Sequence, residues 1–225
     1  MDDDLLLVED LLLVLLDDDG GHILGEGMLY ATLGGAVIVE LAQRGLVRVA
    51  PGQGVEAVPG ATPPADPLLR SAFDVIATQR RSVVARIAEI GPPLRETVLD
   101  RLEERGILRR ERDRVLGFIP VTRMRTVDTT HEDGVVSRLR AVLVDGVDPD
   151  PRSAALAALL WASDQLPALH RRIPWTSTVA SRALALQQGD WGATVVDRHV
   201  ATVLAATTAV STAVSTAVAA GAGRA

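Results

Sequence analysis

One pattern occurs twice in this chain. Residues 39–58, VELAQRGLVRVAPGQGVEAV, and residues 99–121, LDRLEERGILRRERDRVLGFIPV, each run from a helix through Arg-Gly into an apolar strand, a turn and a second strand. A glycine just past a helix takes the left-handed conformation that ends it, and short apolar runs around a turn then pair as a hairpin. Two copies are too few for a solenoid, where each unit needs neighbours on both sides. The pattern constrains the chain to helices carrying small β-wings and excludes a doubly wound parallel sheet.

The remaining segments read mostly as helix. Residues 5–16 form a broad apolar face around Glu9 and Asp10, with Asp4 as the expected N-cap and residues 17–21 as a turn. Residues 29–44 form a helix that stops at Gly45. A strand over 46–49 turns through 51–54 and returns over 55–58. After a proline-rich loop, 59–67, periodic Leu69, Phe73, Ile76, Val83, Val84 and Ile87 predict one helix over 68–90. Gly91-Pro92-Pro93 breaks it, and a helix over 94–105 ends at Gly106. Ile107 and Leu108 open the second hairpin, residues 109–114 are charged, and 115–121 return. Helices are expected over 134–143, 153–166, 175–188 and 191–218. Residues 200–223 carry no charge, but their many Thr and Ser leave them weak for a membrane span of about 20 apolar residues, so a buried terminal helix is expected. The fold class is therefore mainly α: a single globular helical domain over 1–220 with small winged-helix-like β-hairpins, and a disordered tail over 221–225.

Composition narrows the chemistry. Apolar residues make up 48% of the 225 but aromatics only 3%, so the core must be built of Leu, Val, Ile and Ala. The absence of cysteine excludes disulfides, thiolate metal sites and cysteine nucleophiles. The start, Met1-Asp2-Asp3-Asp4, is the opposite of a basic signal-peptide n-region, and a cytoplasmic location is expected. His22, His131, His170 and His199 are scattered without metal-ligand spacing. The glycine pairs lack the lysine of a phosphate loop. The acidic runs at 2–4 and 17–19 read as solvated charge and capping. Trp161 reads as core, while Trp175 and Trp191 start helices and read as packing residues. No catalytic residue, metal or cofactor is expected, and the chain is read as not an enzyme.

The strongest functional signal is charge. The formal net charge is −6, yet residues 80–125 hold 12 of the 23 basic residues and seven acids. All 23 are arginine, whose planar fork suits phosphate. Arg101, Arg105, Arg109, Arg110, Arg112 and Arg114 alternate with Asp100, Glu103, Glu104, Glu111 and Asp113. One reading is a solvated helix and hairpin laced with ion pairs. The other is a basic collar around the apolar run Val115, Leu116, Gly117, Phe118, Ile119, which would hold an anionic surface and sink its tip into it. Val115, Leu116, Phe118 and Ile119 are then the membrane or partner contacts. A helix, Arg-Gly and hairpin also describe a winged helix that binds nucleic acid, though the overall acidity weighs against nucleic acid as a partner. A third reading is oligomerisation or protein interaction through the hairpin.

At these residues the sequence resembles the Golgi phosphoprotein 3 family, which has a yeast vacuolar sorting homologue and bacterial, notably actinobacterial, members. The opening LLLVEDLLLVLLDDDG, the helix LGGAVIVELAQRGLVRV, the unit LRETVLDRLEERGIL with VLGFIPV, and the late SAALAALLWASDQL follow the family's order and spacing. The resemblance implies a helical domain with hairpins and peripheral membrane binding through phosphatidylinositol 4-phosphate or another anionic headgroup. It also implies an adaptor role toward membrane-protein tails, and a hairpin used in membrane insertion and self-association. The family's headgroup pocket uses a Trp and an Arg around the second helix, where this chain has Gly25 and Gly34. Two further pocket arginines fall on Arg95 and Pro92. Arg95 is the one match, and Arg80, Arg81, Arg123 and Arg125 are the candidates to replace the rest.

Overall fold

The computed structural model describes residues 5–17, 21–50, 54–115, 119–189 and 198–222. Helix α1 (Leu7–Leu15) lies in the middle of the core, with every residue buried, Glu9 and Asp10 included. It begins behind an extended Leu6 rather than at Asp4, which lies outside the described residues. A carboxylate inside the helix serves its end: Glu9 accepts the Leu6 N–H at 2.6 Å. The chain leaves through a short antiparallel pair, β1 (Leu16–Asp17) with β2 (His22–Ile23), and a 3-10 turn at Glu26–Met28 leads into α2 (Leu29–Gln43).

The repeated pattern is a structural repeat. Helix α2 feeds β3 (Val47–Ala50) and β4 (Gly54–Ala57); α5 (Leu94–Glu104) feeds β5 (Leu108–Val115) and β6 (Ile119–Thr126). Both helices stop in the same way. Gly45 and Gly106 take φ of +69° and +74°. The N–H groups of Gly45 and Leu46 return to Ala42 and Leu41, and those of Gly106 and Ile107 return to Glu103 and Leu102, all at 2.9–3.0 Å. This satisfies carbonyls that the helix end would leave open. Aligned on the glycine, Leu33, Val37 and Leu41 coincide with Leu94, Val98 and Leu102, and all six are buried.

The second hairpin departs from the sequence expectation. Its charged stretch, 109–114, is strand, and the ladder runs unbroken from Leu108↔Thr126 to Val115↔Ile119. Strand pairing is a backbone property, and apolar alternation reports only burial, so a charged strand is invisible to the hydropathy pattern. Leu116, Gly117 and Phe118 lie outside the described residues.

The single helix expected over 68–90 is two. Helix α3 (Pro67–Ala77) starts from an Asp66 cap whose Oδ1 accepts the N–H groups of Leu68 and Leu69. Helix α4 (Val83–Ile90) starts from Ser82. Between them Arg81 bridges to Val55 of β4, with Val55 N–H donating to Arg81 O at 2.7 Å. Arg86, only 1% exposed, turns its guanidinium back to the Ile76 and Gln79 carbonyls and to Glu89. The carbonyls freed by the break therefore keep donors, and the apolar periodicity continues across a gap it does not mark.

Helix α6 (Thr130–Arg140) starts a turn earlier than expected and runs into a π turn, Ala141–Asp145. Helices α7 (Pro151–Ala162), α8 (Ser177–Gln188) and α9 (Arg198–Ala222) follow. Burial alone would raise the Asp150 carboxyl. Hydrogen bonds from Ser153 and from the Arg152 and Ser153 N–H groups outweigh it and hold the carboxyl below the usual range, as suits an N-cap. Helix α9 packs on α2 and α7: a Cβ at Gly35 would lie 2.7 Å from Val210 and 3.3 Å from Leu159, so the approach requires glycine. Ala206, Val210, Ala213 and Val214 are buried, and among the described residues no helix is long and apolar enough to cross a membrane. Trp161 packs against the core and stacks on the half-exposed Trp175, centroids 6.1 Å apart, while Trp191 lies outside the described residues. The fold is mainly α with small two-stranded hairpins.

Candidate functional site

The acids of α1 gather arginines from distant parts of the chain. Glu9 and Asp10 are fully buried. Arg101 donates to Glu9 at 2.9 Å and to Asp66 at 2.8 Å, with Arg105 3.8 Å from Glu9. Burial lowers the proton affinity of Arg101, but the hydrogen bonds and charges of Glu9 and Asp66 outweigh it and leave it raised. Asp10 takes His131 at 2.6 Å and Arg152 at 2.7 Å, and Arg152 lies 3.6 Å from Glu40. Glu40 accepts the Leu7 N–H at 2.7 Å. Two arginines of the basic segment, Arg101 and Arg105, therefore serve buried carboxylates. The apolar run around Glu9 and Asp10 gave no sign of which distant arginines would meet them.

The outward arginines form a second system along α5. Arg95, at its start, donates Nη2 to Glu26 at 2.7 Å and Nη1 to the adjacent Glu96. The other oxygen of Glu96 lies 3.4 Å from Arg110 of β5. Arg110 also reaches Asp100 at 2.7 Å and Glu103 at 2.9 Å. The hydrogen bond that Arg110 donates to Asp100 is the main cause holding its guanidinium above its ordinary value; slight burial opposes it, and the charges of Asp100, Glu103 and Glu96 add to it. Glu96, Asp100 and Glu103 are spaced i, i+4, i+7 and so form one stripe of the helix. That spacing was readable in the sequence, but its partner across the hairpin was not.

The five predicted headgroup arginines fall in three places. Arg95 sits on the α5 stripe. Arg123 and Arg125 lie in β6, where the ladder sets Arg123 opposite Glu111 and Arg125 opposite Arg109, and Arg125 pairs with Glu111 at 3.0 Å. Arg80 and Arg81 belong to a different neighbourhood, the break before α4, with Glu56 of β4 at 3.8 Å and Glu89 at 2.7 Å. The hairpin base is fastened by Leu108 and Met124, both buried, and by the Met124 N–H bond to Gly21 O at 3.1 Å. From there eight residue pairs carry the ladder about 24 Å to Val115↔Ile119. Over 108–126 the sequence has six arginines against two acids. Of the four predicted membrane contacts, Val115 and Ile119 form that last pair, and Leu116 and Phe118 lie outside the described residues.

A family model matches residues 7–203, most of the chain. The protein belongs to the Golgi phosphoprotein 3 (GPP34) family. No curated protein matches the sequence. Two positions in this family member depart from what the resemblance implied. Gly25, in place of the pocket Trp, has φ of +68°, and a Cβ there would lie 2.7 Å from the Gln165 side chain. Gly34, in place of a pocket Arg, faces the Ile87 carbonyl, 3.3 Å from where a Cβ would sit. At both, neighbouring chain takes the space beside the missing side chain. The sequence of α5 and the long hairpin is rich in arginine, whose guanidinium fork suits phosphate oxygens.

Proposed function

We propose that this protein is a non-enzymatic, peripheral membrane-binding adaptor that works from the cytoplasm. It recognises phosphatidylinositol 4-phosphate or other anionic lipid headgroups and presents membrane-protein tails. The observation that carries this reading is the second hairpin, an eight-pair ladder with an excess of four arginines that reaches to Val115 and Ile119. Arg95, Arg123 and Arg125, with Arg80 and Arg81 on the neighbouring surface, contact phosphate. Val115, Leu116, Phe118 and Ile119 enter the interfacial region. Each arginine near an anionic surface contributes about 1 kcal/mol, and the attraction weakens as salt screens it. Family membership supports the adaptor role.

Co-sedimentation with vesicles tests the proposal. Binding to phosphoinositide or phosphatidylglycerol vesicles is expected at low salt, with loss on Phe118→Asp and an unchanged melting temperature. Absence of binding to every anionic vesicle, or full binding by Phe118→Asp, would remove the idea. A second reading draws on the second hairpin as a two-stranded sheet that no third strand among the described residues joins, an edge of the kind that pairs between copies. Self-association lost in a Leu116→Arg/Phe118→Arg variant by analytical ultracentrifugation, with vesicle binding to neutral and anionic lipid equally weak, would favour it.

A further inference from the structure

Arg95 and Arg110 do not face an anionic surface unopposed. The stripe of exposed Glu96 and Asp100 and half-buried Glu103 holds Arg110 with three carboxylates, and Glu96 also holds Arg95, to which Glu26 adds a second carboxylate. Arg110 donates its backbone N–H to Glu103 as well, at 3.3 Å. The Arg95 clamp uses Nη1 and Nη2 and leaves the buried Nε without an acceptor among the described residues. Like-charged residues at i and i+4 repel, so Glu96 and Asp100 disfavour the bare helix, and the hairpin arginine relieves the stripe.

We infer that the acidic stripe of α5 is an autoinhibitory latch, which occupies Arg95 and Arg110 and yields them to lipid phosphates only at a densely anionic membrane surface. The inference rests on the lipid-binding reading above and adds its regulation. Exposed ion pairs of this kind are weak and salt-screened, so they hold a guanidinium against sparse phosphate and give way to a surface that offers many. A phosphate group also offers more acceptor oxygens to the Arg95 fork than one oxygen from each of two separate carboxylates. Arg95 and Arg110 share Glu96, so the stripe is displaced fully only when phosphate takes both arginines together. Binding should then rise steeply, rather than in proportion, as the anionic fraction of the membrane grows.

The test is a titration of phosphatidylcholine vesicles with increasing phosphatidylglycerol, read by co-sedimentation for the wild type, Glu96→Gln and Glu104→Gln. Glu104 is exposed on the same helix, so its neutralisation makes the same change in net charge. Glu96→Gln should bind about fivefold tighter than wild type, the gain expected from one arginine released to an anionic surface, and reach half-binding at a lower phosphatidylglycerol fraction. Adding Arg95→Gln should cancel most of that gain. Glu104→Gln should stay near wild type. Equal gains in Glu96→Gln and Glu104→Gln overturn the latch while leaving membrane binding intact. No binding by any variant to any vesicle overturns the lipid reading and the latch with it. Calorimetric titration with glycerol 3-phosphate separates the phosphate sources: heat of binding with Glu96→Gln, without a shift in vesicle affinity, would assign the stripe to a soluble phosphate and overturn the membrane latch.

Discussion

The two helix–Arg-Gly–hairpin units share a stop signal and differ in almost everything the strands carry. In the first, four-residue strands bury Val47, Val49 and Val55, and the Arg81 segment covers part of one edge. In the second, eight-residue strands are buried at the base through Leu108 and Met124, and arginine dominates the sequence beyond. The difference extends into the helices. Five residues before each glycine stands a charged side chain directed at the start of α1: Glu40, which accepts the Leu7 N–H, and Arg101, which donates to Glu9. The same helix position thus delivers opposite charges to one buried helix, and Glu40 and Arg101 cannot exchange roles. A local sequence grammar sets where a hairpin starts; the burial of its strands decides whether it becomes a wall of the core or an arm.

The largest effect expected from breaking this comparison is on Arg101. Arg101→Ala leaves Glu9 buried with Arg105, at 3.8 Å, as its one cationic partner among the described residues, and should lower unfolding free energy by about 3 kcal/mol in a denaturant melt. Glu40→Ala removes an acceptor for one backbone N–H and should cost less, about 2 kcal/mol. Equal losses would mean that the buried charge of Glu9 is not the quantity Arg101 satisfies. The glycines give the next contrast. Ala at Gly54 would combine a φ of +92° with a Cβ 2.2 Å from the Arg81 carbonyl, and about 3 kcal/mol should be lost. Ala at Gly45 or Gly106 meets the left-handed backbone, with no other atom of the described residues within 4 Å, and each should cost about 1 kcal/mol. Melts in which Gly45→Ala and Gly106→Ala differ widely would show that the two stops are not equivalent.

What the sequence disclosed follows from the range of the forces involved. The glycine stops at Gly45 and Gly106 were readable because capping is decided by a few consecutive residues. The α3–α4 break was not, because Val55, Arg81 and Arg86 impose it from outside the local window while Leu69, Phe73, Ile76 and Ile87 keep helical spacing through it. The arginine excess over 80–125 was visible in the sequence, and so was the prospect of ion pairs. Which arginines turn inward was not, because Glu9 and Asp66 lie 92 and 35 residues from Arg101. The same holds for the headgroup candidates: composition placed five arginines in one segment, and the fold divides them between α5, β6 and the break before α4.

The smallest predicted effect separates the two hairpins most directly. Three residues after each glycine, the first hairpin sets Arg48 opposite Glu56, bonded at 2.6 Å, and the second sets Arg109 opposite Arg125. Opposite charges across a ladder stabilise it and like charges oppose it, each by a fraction of a kcal/mol. A hairpin shaped for stability alone would use the first arrangement in both places. Arg109→Glu makes the second pair complementary and should raise stability by about 0.5 kcal/mol in a thermal melt. The same substitution removes one cation and adds one anion on the proposed membrane face, and vesicle affinity should fall by an order of magnitude or more. The reverse change in the first hairpin, Glu56→Arg, should lower stability by a similar small amount, lose the Arg80 contact as well, and leave less of a mark on vesicle binding. If Arg109→Glu stabilised the protein and left vesicle binding unchanged, the like-charged pair would have no membrane role, and the arginine excess of the second hairpin would lose its explanation as a lipid contact.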